Sequence, residues 1–356
     1  MKTPAGTRRG KSISYSFLNI LTGSDLSRRR LALMSARAAR PGPVVWLTGC
    51  VHGDEVGGMV VIQEVFKRLR KIPLQSGQLH AFPLMNPLGF ELSLRHVAVG
   101  GEDLNRCFPG NPHGSLAQRI AHTIFTEIVA RQPALVLDLH NDWRSSIPYA
   151  VLDPPPGPAN RHAHTRARAF ARRTGLLLIQ ESPHSPDALF SPMTLSGSLL
   201  NRGLPAVTLE LGEAFVVNER NVILGARAVW NVLADLNMVA PAPEPFEYPL
   251  PPESRRRFLA YADPLISSTS GIIRFLVKPG DVVAPACPVA RIYNAFGKLL
   301  ETLTARHRGI VLGHCDSSVA YPGVPVVAFG LIDDRPAHAA TPHKPKHATP
   351  RRNHRA

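Results

Sequence analysis

From Val44 to Leu236 the apolar positions follow two alternating patterns: short continuous runs, and stretches with an apolar residue at every third or fourth place. Runs bounded by glycine or proline suit buried strands, and the wider spacing suits one face of a helix. Val44–Thr48 is a run that follows the breaker Pro41-Gly42-Pro43, and Val61, Ile62, Val65, Phe66 and Leu69 then recur at helical spacing up to Pro73. Leu79–Met85 reads as a strand ending at Asn86-Pro87. Leu116, Ile120, Ile124 and Ile128 give a helix closed by Pro133, and Ala134–Leu139 is a strand that ends at His140. Arg161–Arg173 reads as helix, Leu176–Gln180 as strand, Met193–Arg202 as helix, Ala206–Leu211 as strand and Asn221–Leu236 as helix. Strands and helices in alternation predict an α/β sheet flanked by helices. In open sheets of this kind ligands gather beyond the carboxyl ends of the strands, where His52, Asn86, His140 and Glu210 fall.

The pattern changes on either side of this region. Residues 1–40 form a basic, weakly patterned segment, with Ser14–Leu21 and Leu31–Met34 as short strand candidates, and residues 41–238 form the α/β domain. Residues 239–257 are proline-rich, as in a linker. Residues 258–332 carry short apolar runs at Gly271–Val277, Val289–Tyr293, Gly309–Leu312 and Val324–Phe329, the texture of a smaller all-β, barrel-like domain. Residues 333–356 have the composition of a disordered basic tail. Gly271–Val283 resembles half of a biotinyl/lipoyl-like hairpin, but no lysine stands at a tip between the expected neighbours, Lys298 included. A cap over the site or an oligomer contact is then the expected role.

The net charge of +15 looks like a nucleic-acid signature until its placement is considered. Residues 1–40 hold nine Lys/Arg against one acid and residues 335–356 hold six against none, so the ends account for fourteen of the fifteen charges. The body is near neutral, which argues against nucleic acid as the main partner. No stretch is apolar for long enough to span a bilayer, no signal core opens the chain, and Cys50, Cys107, Cys287 and Cys315 form no C-x-x-C pair. These features lead to the expectation of a cytoplasmic protein with reduced thiols and no membrane partner.

His52 and Glu55 lie three residues apart in a turn just after a strand run, and both side chains are zinc donors. A catalytic zinc commonly takes three protein ligands and leaves one position open. The pair by itself is weak, because a His and an acid beside a glycine turn can simply bond the backbone. His140, at the end of Leu-Val-Leu-Asp-Leu-His, could supply the third corner, with Asp138 orienting it from the same strand face. Asp138 could equally be an ordinary buried acid.

Gly49–Glu55, Asp103–Gly110, Asp138–His140 and Thr208–Gly212 together resemble the succinylglutamate desuccinylase/aspartoacylase family within the zinc carboxypeptidase superfamily. The blocks occur in the family's order, and the resemblance spans roughly residues 44–331. It implies a zinc-carboxypeptidase-like mixed sheet flanked by helices with a smaller all-β carboxy-terminal domain. It also implies one Zn2+ per chain on His52, Glu55 and His140, with Glu210 as the catalytic carboxylate. Asn105 and Arg106 would hold a substrate carboxylate and Arg95 would stabilise an oxyanion, although the His-Val-Ala-Val-Gly-Gly after Arg95 departs from the family's interval. Asp103 would anchor this loop or Arg106. The implied reaction is hydrolysis of the amide bond of a small carboxylate-bearing N-acyl amino acid. Two alternatives stand beside it: a carboxypeptidase acting on peptides, and a catalytically lapsed polyanion-binding protein. The acyl group, the amino acid and the oligomeric state are not legible, so a homo-oligomer stays open. His80, His96, His113, His122 and His184 have no ligand spacing and read as surface or core residues.

Overall fold

The computed structural model describes residues 13–332 except 24–25, 184–185, 263–264 and 316. The basic tail, Asp25 and His184 therefore lie outside the described residues. The chain begins with a hairpin, β1 (Ile13–Thr22) and β2 (Arg28–Arg37), followed by β3 (Val44–Gly49), α1 (Gly57–Lys71), β4 (Gln78–Phe82), α2 (Pro87–Leu92), α3 (Leu116–Ala130) and β5 (Leu135–His140). The short β6 (Ser145–Ser146) precedes β7 (Pro148–Leu152), α4 (Arg161–Thr174), β8 (Leu177–Gln180), α5 (Leu195–Asn201), β9 (Ala206–Leu211) and α6 (Glu219–Asp235). The remainder is all strand: β10 (Phe258–Tyr261), β11 (Leu265–Ile266), β12 (Gly271–Phe275), β13 (Val282–Val283), β14 (Pro288–Tyr293), β15 (Leu299–Thr304), β16 (Gly309–His314), β17 (Val319–Ala320) and β18 (Pro325–Leu331).

The main sheet runs β1-β2-β4-β3-β5-β9-β7-β8-β10-β18-β16-β13, and β15-β14-β12-β17 form a separate small antiparallel sheet. At its centre β4, β3, β5 and β9 are parallel, while β7 returns antiparallel beside β9. This is the expected mixed sheet with helices and a small carboxy-terminal sheet. Two boundaries differ from the sequence expectation. Residues 13–37 belong to the main sheet because β2 pairs with β4. The carboxy-terminal strands also continue that sheet through the parallel pairing of β10 with β8. The proline-rich stretch before them is anchored, with Val239 and Leu250 buried and the Tyr248 hydroxyl donating to the Pro148 carbonyl.

Strand alternation divides the core. Val45, Leu47, Leu137, Leu139, Val207 and Leu209 face a cluster with α1, α4 and α6, and Trp46, Val136 and Ala206 face a second cluster with α3 and α5. Helix α1 buries Val61, Ile62, Val65, Phe66 and Leu69 and places Arg68, Arg70 and Lys71 in its last turn, where cations suit the helix dipole. Each such burial is worth ~1.5–3 kcal/mol relative to exposure. Ser115 and Gln118 form a reciprocal capping box that fixes the start of α3.

Candidate active site

The face of the sheet that carries Trp46, Val136 and Ala206 changes character toward the carboxyl ends of the strands. In register, the row Trp46–Val136–Ala206 is followed by Thr48–Asp138–Thr208 and then by His140–Glu210. An apolar floor thus gives way to a polar layer and then to ionisable groups at the strand ends. Period-two alternation keeps all of them on one face.

After β3 the backbone turns at Cys50, whose φ of 54° lies in the left-handed region, and the thiol donates to the His52 carbonyl. Burial first, then the Glu55 and Asp54 carboxylates, push that thiol up to about 12, so Cys50 supports the turn and is no nucleophile. Gly53 lies against α2: a Cβ there would stand 1.9 Å from the Gly89 carbonyl carbon. Helix α1 has no side-chain cap of its own. The Gly57 amide instead donates to Asn141 Oδ1 at 2.9 Å, which ties the helix start to the end of β5.

This turn brings together the three predicted ligands. His52, Glu55 and His140 are all buried, with donor atoms within 4.8 Å of one another. Glu55 is the hub: Oε1 lies 2.5 Å from His52 Nδ1, and Oε2 lies 2.8 Å from His140 Nδ1 and accepts the Asn141 amide at 3.1 Å. Both imidazoles turn their other nitrogen to a carboxylate, His140 Nε2 to Asp138 at 3.1 Å and His52 Nε2 to Asp103 at 3.1 Å. Asp138 is fixed in turn by the Thr48 hydroxyl, which donates at 2.6 Å. A ring nitrogen held from outside presents its partner nitrogen inward as a ligand. The buried His-Glu-His group therefore fits one metal ion.

The electrostatics follow from protein charges alone. Burial would raise the Glu55 carboxyl, but the two imidazoles more than offset it and hold it well below the usual range. Burial would lower the His140 imidazole, and Asp138 and Glu55 outweigh it and raise it. Glu210 is partly exposed as a residue, yet its Oε2 is shielded and has no protein partner. Burial is the main cause that pushes this carboxyl well above its ordinary value.

The loop that carries Arg95, Asp103, Asn105 and Arg106 lies beside the triad. Arg95 donates to Asp103 Oδ2 from Nε at 3.2 Å and lies 3.4 Å from Glu55 through Nη1. Asn105 is buried and its Oδ1 accepts the Leu195 amide at the start of α5. Arg106 donates to the Asn105 carbonyl at 3.0 Å and its guanidinium lies 5.4 Å from the centre of the Phe190 ring. Asp103 bonds His52, Arg95 and the Asn105 amide, not the Arg106 side chain. Asn86, also at a strand end, is an N-cap of α2 rather than a site residue. His80 is a core residue between Ser35 and Gln78.

Sequence reasoning missed Asn141 and the Tyr149–Asp142 pair. Asn141 also donates to the Gly212 and Glu213 carbonyls, so it joins the ends of β5 and β9 to the ligand turn. Tyr149 stands in register with Glu210 and donates to Asp142 at 2.6 Å. Their adjacency to His140 was the only available signal for Asn141 and Asp142.

Comparison with known proteins agrees with this geometry. Residues 41–236 match the succinylglutamate desuccinylase/aspartoacylase catalytic domain. The N-alpha-acetyl-L-2,4-diaminobutyric acid deacetylase of Halomonas elongata is 28% identical over 292 residues, covering 79% of this chain and 80% of its own length. A crystal structure of a succinylglutamate desuccinylase/aspartoacylase from Rhodobacter sphaeroides aligns with a TM-score of 0.76 at 23% identity, covering 90% of this chain and 95% of that one. The product-bound ectoine utilization protein EutE from Ruegeria pomeroyi aligns with a TM-score of 0.75 at 20% identity, with the same coverage of both chains. At these identities the two structures speak for the fold alone.

Proposed function

The chain belongs to the succinylglutamate desuccinylase/aspartoacylase family, and from that premise we propose that it hydrolyses the amide bond of a small, carboxylate-bearing N-acyl amino acid. The observation that carries the reading is the convergence of His52 Nδ1 and His140 Nδ1 on Glu55, with Glu210 beside His140 in the sheet. Two imidazoles and one carboxylate are a common catalytic zinc set, so His52, Glu55 and His140 would hold Zn2+. When bound, zinc supplies Lewis acidity, bringing the pKa of water toward ~7 and polarising a carbonyl oxygen.

The protein side chains do the rest. Glu210 stands beside His140 in the sheet with its Oε2 committed to no protein group, and it takes a proton from the attacking water once substrate and water enter the site. Glu210 then gives that proton to the amine nitrogen as the C–N bond breaks, leaving a carboxylic acid and an amine, and the acid loses its proton to the amine or to solvent. Arg95 stands at the edge of the triad, where its guanidinium can turn from Glu55 toward a developing oxyanion. Asn105 has committed its side-chain oxygen to the Leu195 amide, so it offers a substrate its amide N–H groups. Arg106, steadied by the Asn105 carbonyl and Phe190, offers its remaining fork to the substrate carboxylate. The deacetylase of Halomonas elongata, named for an acetylated diamino acid, supports this substrate class.

The test is amine release from N-acetyl and N-succinyl amino acids by the wild-type protein and Glu210→Gln. The variant should bind metal normally and lose roughly 10²–10⁴-fold in turnover. Unchanged turnover removes Glu210 from the mechanism.

A further inference from the structure

The two ends of the main sheet are built differently. One end is β13, only two residues long, a short edge that gives another chain little to pair with. The other is β1, ten residues with the sequence Ile-Ser-Tyr-Ser-Phe-Leu-Asn-Ile-Leu-Thr, which carries no charge and no proline. Among the described residues, nothing pairs with β1 on the side away from β2. The one protection this edge carries is the bulge between Asn19 and Leu21, which leaves Ile13–Asn19 in regular register with β2 and without a lysine or proline.

Its side-chain pattern is that of an interior strand. Leu18 and Ile20 lean on the core beneath α3 and α5, while Ile13 leans on the opposite core. Tyr15 and Phe17 are 57% and 60% exposed, so the strand is apolar on both faces yet only half covered. Strands that are apolar on both faces are normally covered on both faces. The two aromatic rings are also held in place, Tyr15 by a hydrogen bond from Arg70 at 2.7 Å and Phe17 beneath the Arg30 guanidinium at 5.0 Å.

The segments of this chain outside the described residues are poorly suited to cover it. Residues 1–12 hold Pro4, Gly6 and Gly10 and no large apolar side chain except Met1, and residues 333–356 hold none at all. We propose that β1 pairs with β1 of a second copy of this chain, antiparallel about a twofold axis, so that the two main sheets become continuous. The charge layout selects that direction. Arg28, Arg29 and Arg30 of β2 stand opposite Thr22, Leu21 and Asn19, all at one end of the strand. Parallel pairing would hold the two arginine clusters at the same end, roughly 14 Å apart across the two β1 strands, whereas antiparallel pairing also offsets them by roughly 20 Å along the strands. An isologous contact of this kind closes on itself and leaves no β1 edge open.

Sedimentation equilibrium of the full chain should give twice the 38.8 kDa chain mass. Phe17→Lys alters an exposed side chain away from the active site, and it should raise the dimer dissociation constant about tenfold or more, because like charges meet across the strands. Its far-ultraviolet circular dichroism and its amine release should stay at the wild-type level. A cysteine scan of residues 15–19 under mild oxidation provides a second measurement, and a position near the axis should give a cross-linked dimer that the wild type does not. A monomer at every concentration overturns the proposal. So does a dimer that Phe17→Lys leaves equally tight and that no scanned cysteine cross-links.

Discussion

Asp138→Asn should weaken metal binding by roughly ten- to a hundredfold while leaving the fold in place. Asp138 is 1% exposed and uses both oxygens, Oδ1 on the Thr48 hydroxyl and Oδ2 on His140 Nε2. Asparagine has the same shape, and the threonine hydroxyl can reverse its role toward the new amide, so packing is kept. What is lost is the negative charge behind the imidazole, which makes the inward Nδ1 a better donor. The expected loss of affinity corresponds to about 1.4–2.7 kcal/mol, at about 1.36 kcal/mol per tenfold change. Zinc competition against a chromophoric chelator measures it, with circular dichroism as the check on folding. If His140 instead offered Nε2 to the metal, removing the charge on Asp138 would release that nitrogen and affinity would hold or rise. An unchanged or tighter dissociation constant therefore refutes the Nδ1 assignment.

Other outcomes follow from named contacts. Burial holds the His80 imidazole down at about 4, with Arg131 and Arg37 adding to the effect. Its folded value thus lies below its unfolded one, so the stability it contributes is full above pH ~6.5 and is lost as pH falls toward 4. At pH 5 the loss is about 2 kcal/mol. Urea unfolding at pH 7 and pH 5 should show that difference shrinking in His80→Gln, and an equal difference in both proteins contradicts it. Gly53→Ala puts a Cβ into the Gly89 backbone and should cost ~3 kcal/mol or more together with the metal site; a melting temperature within a few degrees of wild type with full metal content disproves the clash. Arg106→Ala should lower kcat/KM on carboxylate-bearing substrates by about a hundredfold, as expected for one lost charge-assisted contact. Equal losses on a substrate whose carboxylate is amidated would show that Arg106 does not read that group.

Much of the central sheet was legible because its strands and helices announce themselves by period. Ala206–Leu211 reads as a strand because it is a bounded apolar run, and α1 because Val61 to Leu69 repeat on one face. The grouping of His52, Glu55 and His140 was legible only in part from the strand ends, since His140 closes a buried strand, and the family resemblance supplied the rest together with Glu210. What stayed hidden depends on contacts between distant segments. Nothing local in Asp103-Leu-Asn-Arg says that Asp103 reaches back to His52, 51 residues earlier. Asn141 caps α1 from the end of another strand, a role no capping pattern at Val56 could show. The β1–β2 hairpin was only half visible, because its arginines and serines mask a pairing with β4 that is set by the backbone. The continuity of β8 with β10 was hidden by the proline-rich stretch, which reads as a linker although Tyr248 and Leu250 anchor it.

The central claim is that a single zinc on His52, Glu55 and His140 serves the hydrolysis of an N-acyl amino acid. The direct measurement is amine release from N-acetyl-2,4-diaminobutyrate by protein stripped with a chelator and then titrated with Zn2+. The account predicts no release from the stripped protein and recovery that saturates at about one zinc per chain, a set of three ligands holding one ion. It also predicts no recovery in His140→Ala. Full activity in the stripped protein, or equal recovery in His140→Ala, would contradict it.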